Sequence, residues 1–225
     1  MDTFLEITQA LRQEVGMGGT GPSSVVGQTG EYKRLCDWVI RSWIEIQELH
    51  QEWSFRWGRF NFATDPEQSD PSEYGVCDSG IEAVNPDSLW WYLNSNGVSY
   101  KQPLAYLPYE NYLQRFGRTY TEPGQPQYLT VLPNFAVKIH PDPDDVYAIG
   151  GDFCREAQVL AADADEPYIR SSHRGVILYR AMLLYAEHEE AQSMIATAAT
   201  EYNQRLNRCR RLFLPQIKWA SAPLA

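Results

Sequence analysis

The hydrophobic period of this 225-residue chain changes twice. Residues 1–54 and 172–213 repeat apolar side chains at helical spacing. Residues 55–153 carry short alternating aromatic runs separated by turns. A stretch patterned with period 3.6 and one patterned with period 2 do not fold as the same element. The pattern therefore predicts an α+β chain. In it, N- and C-terminal helices (1–54 and 154–225) form one helical bundle, and 55–153 form a β-rich insertion.

At the N-terminus, Thr3 and Glu6 form a capping box, and Phe4, Ile7, Leu11 and Val15 make one stripe, so a helix is expected from Thr3 to Val15. Gly16 and Gly18 end it and open a Gly/Ser loop. Thr29 is placed to cap a second helix running to about Trp53. Leu35, Val39, Ser42, Trp43, Ile46, Leu49 and Trp53 share its buried face, and Arg41, Glu45, Glu48 and Glu52 lie opposite. FRWGRFNF then alternates as a strand does. Asn96-Gly97 between two aromatic runs suggests a hairpin, and a short helix from Tyr109 to Phe116 stops at Gly117. From Ser172 to Phe213 the spacing fits one helix or two broken near His188. Leu214-Pro215 ends it.

The net charge is −10, unevenly spread. The last 25 residues hold five bases and one acid (+4), which leaves −14 on the first 200, and no Lys or Arg occurs between Asn61 and Tyr100. An acidic body does not hold phosphate backbones by charge, so sequence-reading nucleic-acid binding is not expected. Cys36, Cys77, Cys154 and Cys209 lack metal-ligand spacing, and a reduced protein made in cytoplasm is expected. The N-terminus is acidic and immediately amphipathic, unlike a signal peptide. No run is long enough to span a membrane.

Candidate chemistry is sparse. Gly16-x-Gly18-x-x-Gly21 matches a dinucleotide pattern but follows a helix instead of a strand, so no cofactor is expected. Asp142, Asp144 and Asp145 lack the spaced oxygens of a calcium loop and read as a turn, so no metal is expected. His188-Glu189-Glu190 has no second His one turn later, and His173 reads as packing or capping. No nucleophile motif is present, and no enzyme activity is expected. After the last helix the chain stays apolar. Arg210, Arg211, Phe213, Leu214, Pro215, Ile217 and Trp219 make the candidate partner-binding set of an arm from about residue 214 to 225, which docks on its own subunit or on a neighbour.

The order of these pieces resembles the tailed-phage head-to-tail adaptor (connector, head-completion) family. The likeness runs through the opening helix, the Gly/Ser loop ending in Gly27-Gln28-Thr29-Gly30-Glu31 and the Trp-containing helix. It continues in Pro141 to Tyr147, Leu160 to Pro167, the helix opening with His173, and Ala181 to Glu187. The resemblance implies a structural virion protein of the neck without catalytic residues. It implies a ring, commonly of twelve copies, below the portal, with C-terminal extensions on the portal and a tail or nozzle protein beyond. The ring would continue the channel for genomic DNA without reading its sequence. The alternatives are another neck component, a stopper or tail terminator, or a carbohydrate-binding virion protein suggested by the Trp- and Tyr-rich insertion.

Overall fold

Helices gather at the two ends of the chain and strands in its middle, an α+β class, in the computed structural model, which describes residues 3–67, 73–75, 80–96, 100–117 and 121–215. The chain divides into two compact units, one drawn from residues 1–56 and 157–225, the other from 57–156.

In the first unit, α1 spans Phe4–Glu14, and Thr3 Oγ1 accepts the Glu6 N–H at 3.3 Å as its cap. Phe4, Ile7 and Leu11 are buried. Gly16 takes φ +73°, the left-handed conformation that closes a helix cheaply only for glycine. The second helix, α2, spans Gly30–Glu48 and buries Leu35, Cys36, Val39, Ser42, Trp43, Ile46 and Gln47. It stops one turn before Trp53. The chain turns at Leu49–Glu52 so that the fully buried Trp53 indole returns, its Nε1 donating to the Ile46 carbonyl at 2.8 Å. That bond satisfies a carbonyl near the helix end, and the ring stacks on Phe55.

Residues 109–116 form α3 in the other unit. The helix α4 spans Gly175–His188 and packs against α1, α2 and α5. Its buried residues, among them Val176, Ile177, Leu178, Ala181, Met182, Leu184 and Ala186, face more than one side. A helix apolar around most of its circumference belongs inside a bundle. The last helix, α5, spans Gln192–Phe213. Between them Glu190 adopts φ +53°. Ala191 N–H then reaches the Ala186 carbonyl, and Glu190 N–H the Glu187 carbonyl. This is a Schellman closure with glutamate where glycine is usual. Of the two alternatives open in the sequence, the broken pair of helices is the one that forms.

The second unit has two sheets. One runs β1 (Trp57–Ala63), β9 (Tyr147–Arg155), β4 (Trp90–Leu93), β5 (Gln102–Pro103), with β3 (Ile81–Val84) also on β9. Pairing is antiparallel throughout: β9 carries β1 along one side and, along the other, β4 at residues 147–150 and β3 at 153–155. The other sheet runs β2 (Glu73–Tyr74), β8 (Val137–His140), β7 (Tyr128–Val131), β6 (Ala105–Tyr106), with β6 parallel to β7. Phe60, Ile81, Ile149 and Phe153 of the first sheet and Tyr74, Leu129, Val137 and Ile139 of the second share one core.

Gly150 and Gly151 sit at the centre of β9 because there is no room for more. A Cβ at Gly150 would lie 2.4 Å from Trp90 Cζ2 and 3.0 Å from the Phe60 carbonyl oxygen, and one at Gly151 2.4 Å from Leu89 Cδ2. The hairpin expected at Asn96-Gly97 is a pairing of β4 with β5, Trp90 opposite Pro103, across the connection 94–101. Gly97 itself lies outside the described residues, as does Cys77.

Candidate functional site

The basic, apolar end of α5 is built on the core of its own unit. Phe213 is buried and meets Phe55 and His173 edge to face. Leu214 is half-buried against the same core; its N–H donates to the Arg210 carbonyl, and its extended backbone (φ −96°, ψ 150°) ends the helix ahead of Pro215. Arg210 Nε donates to His50 Nε2 at 3.3 Å. Arg211, Leu212 and Pro215 are exposed. Two bases in the last turn also complement the negative end of the helix dipole. The candidate partner-binding residues thus divide: Phe213 and Leu214 turn inward, Arg210 is shared, Arg211 and Pro215 face out, and Ile217 and Trp219 lie outside the described residues.

The stretch 157–170, between β9 in sequence and α4, explains several motifs. Asp165 accepts the N–H groups of Ala161 and Ala162 on its own carboxylate, at 2.6 and 2.8 Å. The carbonyls of Asp165 and Asp163 accept the N–H groups of Phe4 and Leu5, which open α1 and have no partner within it. The Asp163 carboxylate takes the Ser24 hydroxyl and the Val25 N–H, at 3.1 and 2.6 Å, and so pins the Gly/Ser loop. Arg12 Nη1 donates to the Met17 carbonyl and Gln9 to that of Pro22. The glycines that imitate a dinucleotide motif therefore belong to a loop fastened at both ends by hydrogen bonds.

Sequence reasoning overlooked Gln158. Its Oε1 accepts from Trp43 Nε1 and the Tyr168 N–H, while its backbone exchanges two hydrogen bonds with the Gln47 side chain. Its only signal in the sequence is Gln47, a polar residue on a buried helix face. Arg174, also buried, donates to the carbonyls of Ile169 and Pro167 and to Glu166. Glu45 bridges Arg41 and Arg180 of α4 at 2.8 and 2.7 Å. Burial alone would raise its pKa, but the bonds from Arg180 and Arg41 hold it below its ordinary value.

Burial, with Asp37 nearby, pushes the Cys36 thiol up to about 11, and burial does the same for Cys209 against the pull of Arg208. Thiols so placed are poor nucleophiles. In the aspartate turn, Asp144 accepts the Tyr147 hydroxyl and the Asp145 carboxylate the Val146 N–H. No group of three His, Cys, Asp or Glu side chains among the described residues is placed to hold a metal ion. Met17, Glu31, Arg34, Leu35, Trp38, Tyr185 and Glu189 line a cleft of about 110 Å³, small beside usual small-molecule sites. The Trp90 ring carries Lys101 Nζ 3.7 Å from its centroid and lies parallel to Tyr92, so both rings have partners within the sheet. No helix of the described residues is long and apolar enough to cross a membrane.

No curated protein sequence matches the chain. The SU10 adaptor protein family, by contrast, matches residues 2–223, which takes in both units and every motif described above, and the chain belongs to this family of phage head-to-tail adaptors.

Proposed function

We propose that the protein is a structural component of the virion neck. Copies of it, twelve in our reading, form a ring below the portal that joins the capsid to the tail and continues the DNA channel. The observation that carries this reading is the family match along residues 2–223. Several features support it. Residues 1–56 and 157–225 form the adaptor body, whose polar groups are spent on fixing loops to helices. Residues 57–156 form an insertion carried by that body. The arm from about residue 214 leaves from an anchored Phe213 and engages the portal, with Arg210, Arg211, Pro215, Ile217 and Trp219 as its contacts. A tail or nozzle protein binds the opposite side. The formal −14 of the first 200 residues keeps passing DNA from adhering, so the channel conducts it without reading sequence.

Mixing the purified chain with portal rings of the same phage tests the proposal. The expected product is a portal–adaptor particle with a second ring in electron micrographs. A chain that leaves the portal ring unchanged contradicts it. A complex with a closed channel would favour a stopper.

A further inference from the structure

We infer that β1 is an open sheet edge that receives an extended peptide segment of another virion protein. The inference rests on the reading of the chain as part of a larger assembly, and adds the site and the binding mode. The phase of the β1–β9 ladder is set by Thr64, whose N–H donates to the Tyr147 carbonyl. Because antiparallel pairs alternate, Gly58, Phe60 and Phe62 turn their backbone groups toward β9. Trp57, Arg59, Asn61 and Ala63 turn theirs away from the sheet. Among the described residues these outward N–H and C=O groups meet no hydrogen-bond partner, and all four residues are exposed.

Long open edges are hazardous, and proteins blunt them with short strands, bulges, prolines or lysines. The other edges of this unit follow that rule. The strands β2, β5 and β6 have two residues each, β5 contains Pro103, and β3 is bulged between Ile81 and Ala83. With seven residues and no proline, lysine or bulge, β1 does not; its one charge, Arg59, is already paired with Asp152 at 2.7 Å.

The geometry selects the occupant. Two β1 strands from two copies would pair around a two-fold axis, a closed dimer that cannot propagate around a ring. Head-to-tail continuation of the sheet would set seven residues against the two of β5. A single extended segment of about seven residues fits, bound through its main chain as in strand addition. Its apolar side chains would alternate onto the side of Phe60 and Phe62, where Phe62 is half-buried and stacked on Tyr74. Its polar ones would fall beside Arg59 and Asn61.

Amide hydrogen exchange on the full chain, alone and in assembled particles, tests the inference. Alone, the Arg59, Asn61 and Ala63 amides are expected to exchange fast while Gly58, Phe60 and Phe62 are protected. In particles the outward amides should slow by about tenfold or more, the scale of one net hydrogen bond. Asn61→Pro, which removes an outward N–H and leaves the β9 ladder intact, should cut incorporation into particles, and Asn61→Ala should not. Outward amides that stay fast in particles, that are already slow in the monomer, or that are protected because the isolated chain dimerises through β1 would each overturn the inference. Protection gained in particles whose chain lies away from the neck would overturn the ring and leave the edge site standing.

Discussion

Phe213 and His173 meet edge to face, their ring centroids 5.2 Å apart and their planes at 82°. The contact joins the last residue of α5 to the turn that opens α4, so Leu214 and Pro215 leave the helix from a fixed point. Phe213 is therefore expected to act in folding, and the residues after it in attachment.

Phe213→Ala should destabilise the chain by about 3 kcal/mol, the cost of emptying a buried aromatic site, measured by urea unfolding. Truncation after Phe213 should leave a folded chain with a cooperative unfolding transition and abolish binding to the portal ring. Normal portal binding by the truncated chain would refute the arm.

Acid should destabilise the protein before its carboxylates titrate. Burial, then the charges of Arg208 and Arg170, hold His173 below the ordinary histidine value of 6.5. His140, stacked on Phe116, is likewise lowered by burial and Lys138, against the pull of Asp142. With folded pKa values below the unfolded one, the unfolded chain binds more protons in between. Stability is then full above about pH 6.5 and falls as pH drops below it. Thermal midpoints at pH 7.5, 6.5 and 5.5 should decline in that order, and less steeply in His140→Gln.

Glu190→Gly should stabilise the chain by about 1 kcal/mol, because glutamate holds a left-handed conformation that glycine adopts without strain. A rise of the thermal midpoint by a few degrees is the expected reading.

Gly150→Ala should cost about 1–3 kcal/mol through overpacking, since both the Trp90 ring and the Phe60 carbonyl stand in the way. Gly151→Ala should cost less, the obstruction being the far end of Leu89.

Local physics was legible wherever one residue decides an outcome. The Thr3 cap, the Leu35-to-Ile46 stripe, the alternation of β1 and the stop of α3 before Gly117 can all be read from the order of side chains. The end of α2 was not, because Trp53 keeps the helical phase while its chain has already turned back to bond Ile46. A break near His188 was one of two readings open in the sequence, but its closing residue was hidden: a left-handed closure normally announces itself with glycine, and here it falls on Glu190. The acids Asp163 and Asp165 read as a loop motif, but their partners in α1 and the Gly/Ser loop lie about 140–160 residues away in sequence. The candidate arm could be marked from its apolar character alone, whereas the inward turn of Phe213 depends on Phe55 and His173, which no local pattern links to it.

Electron cryomicroscopy of the neck in intact particles tests the central claim most directly. The account predicts a ring of this chain immediately below the portal, with residues after Phe213 lying on portal surface. Density for the chain confined to another part of the particle, or no copies between portal and tail, would contradict it.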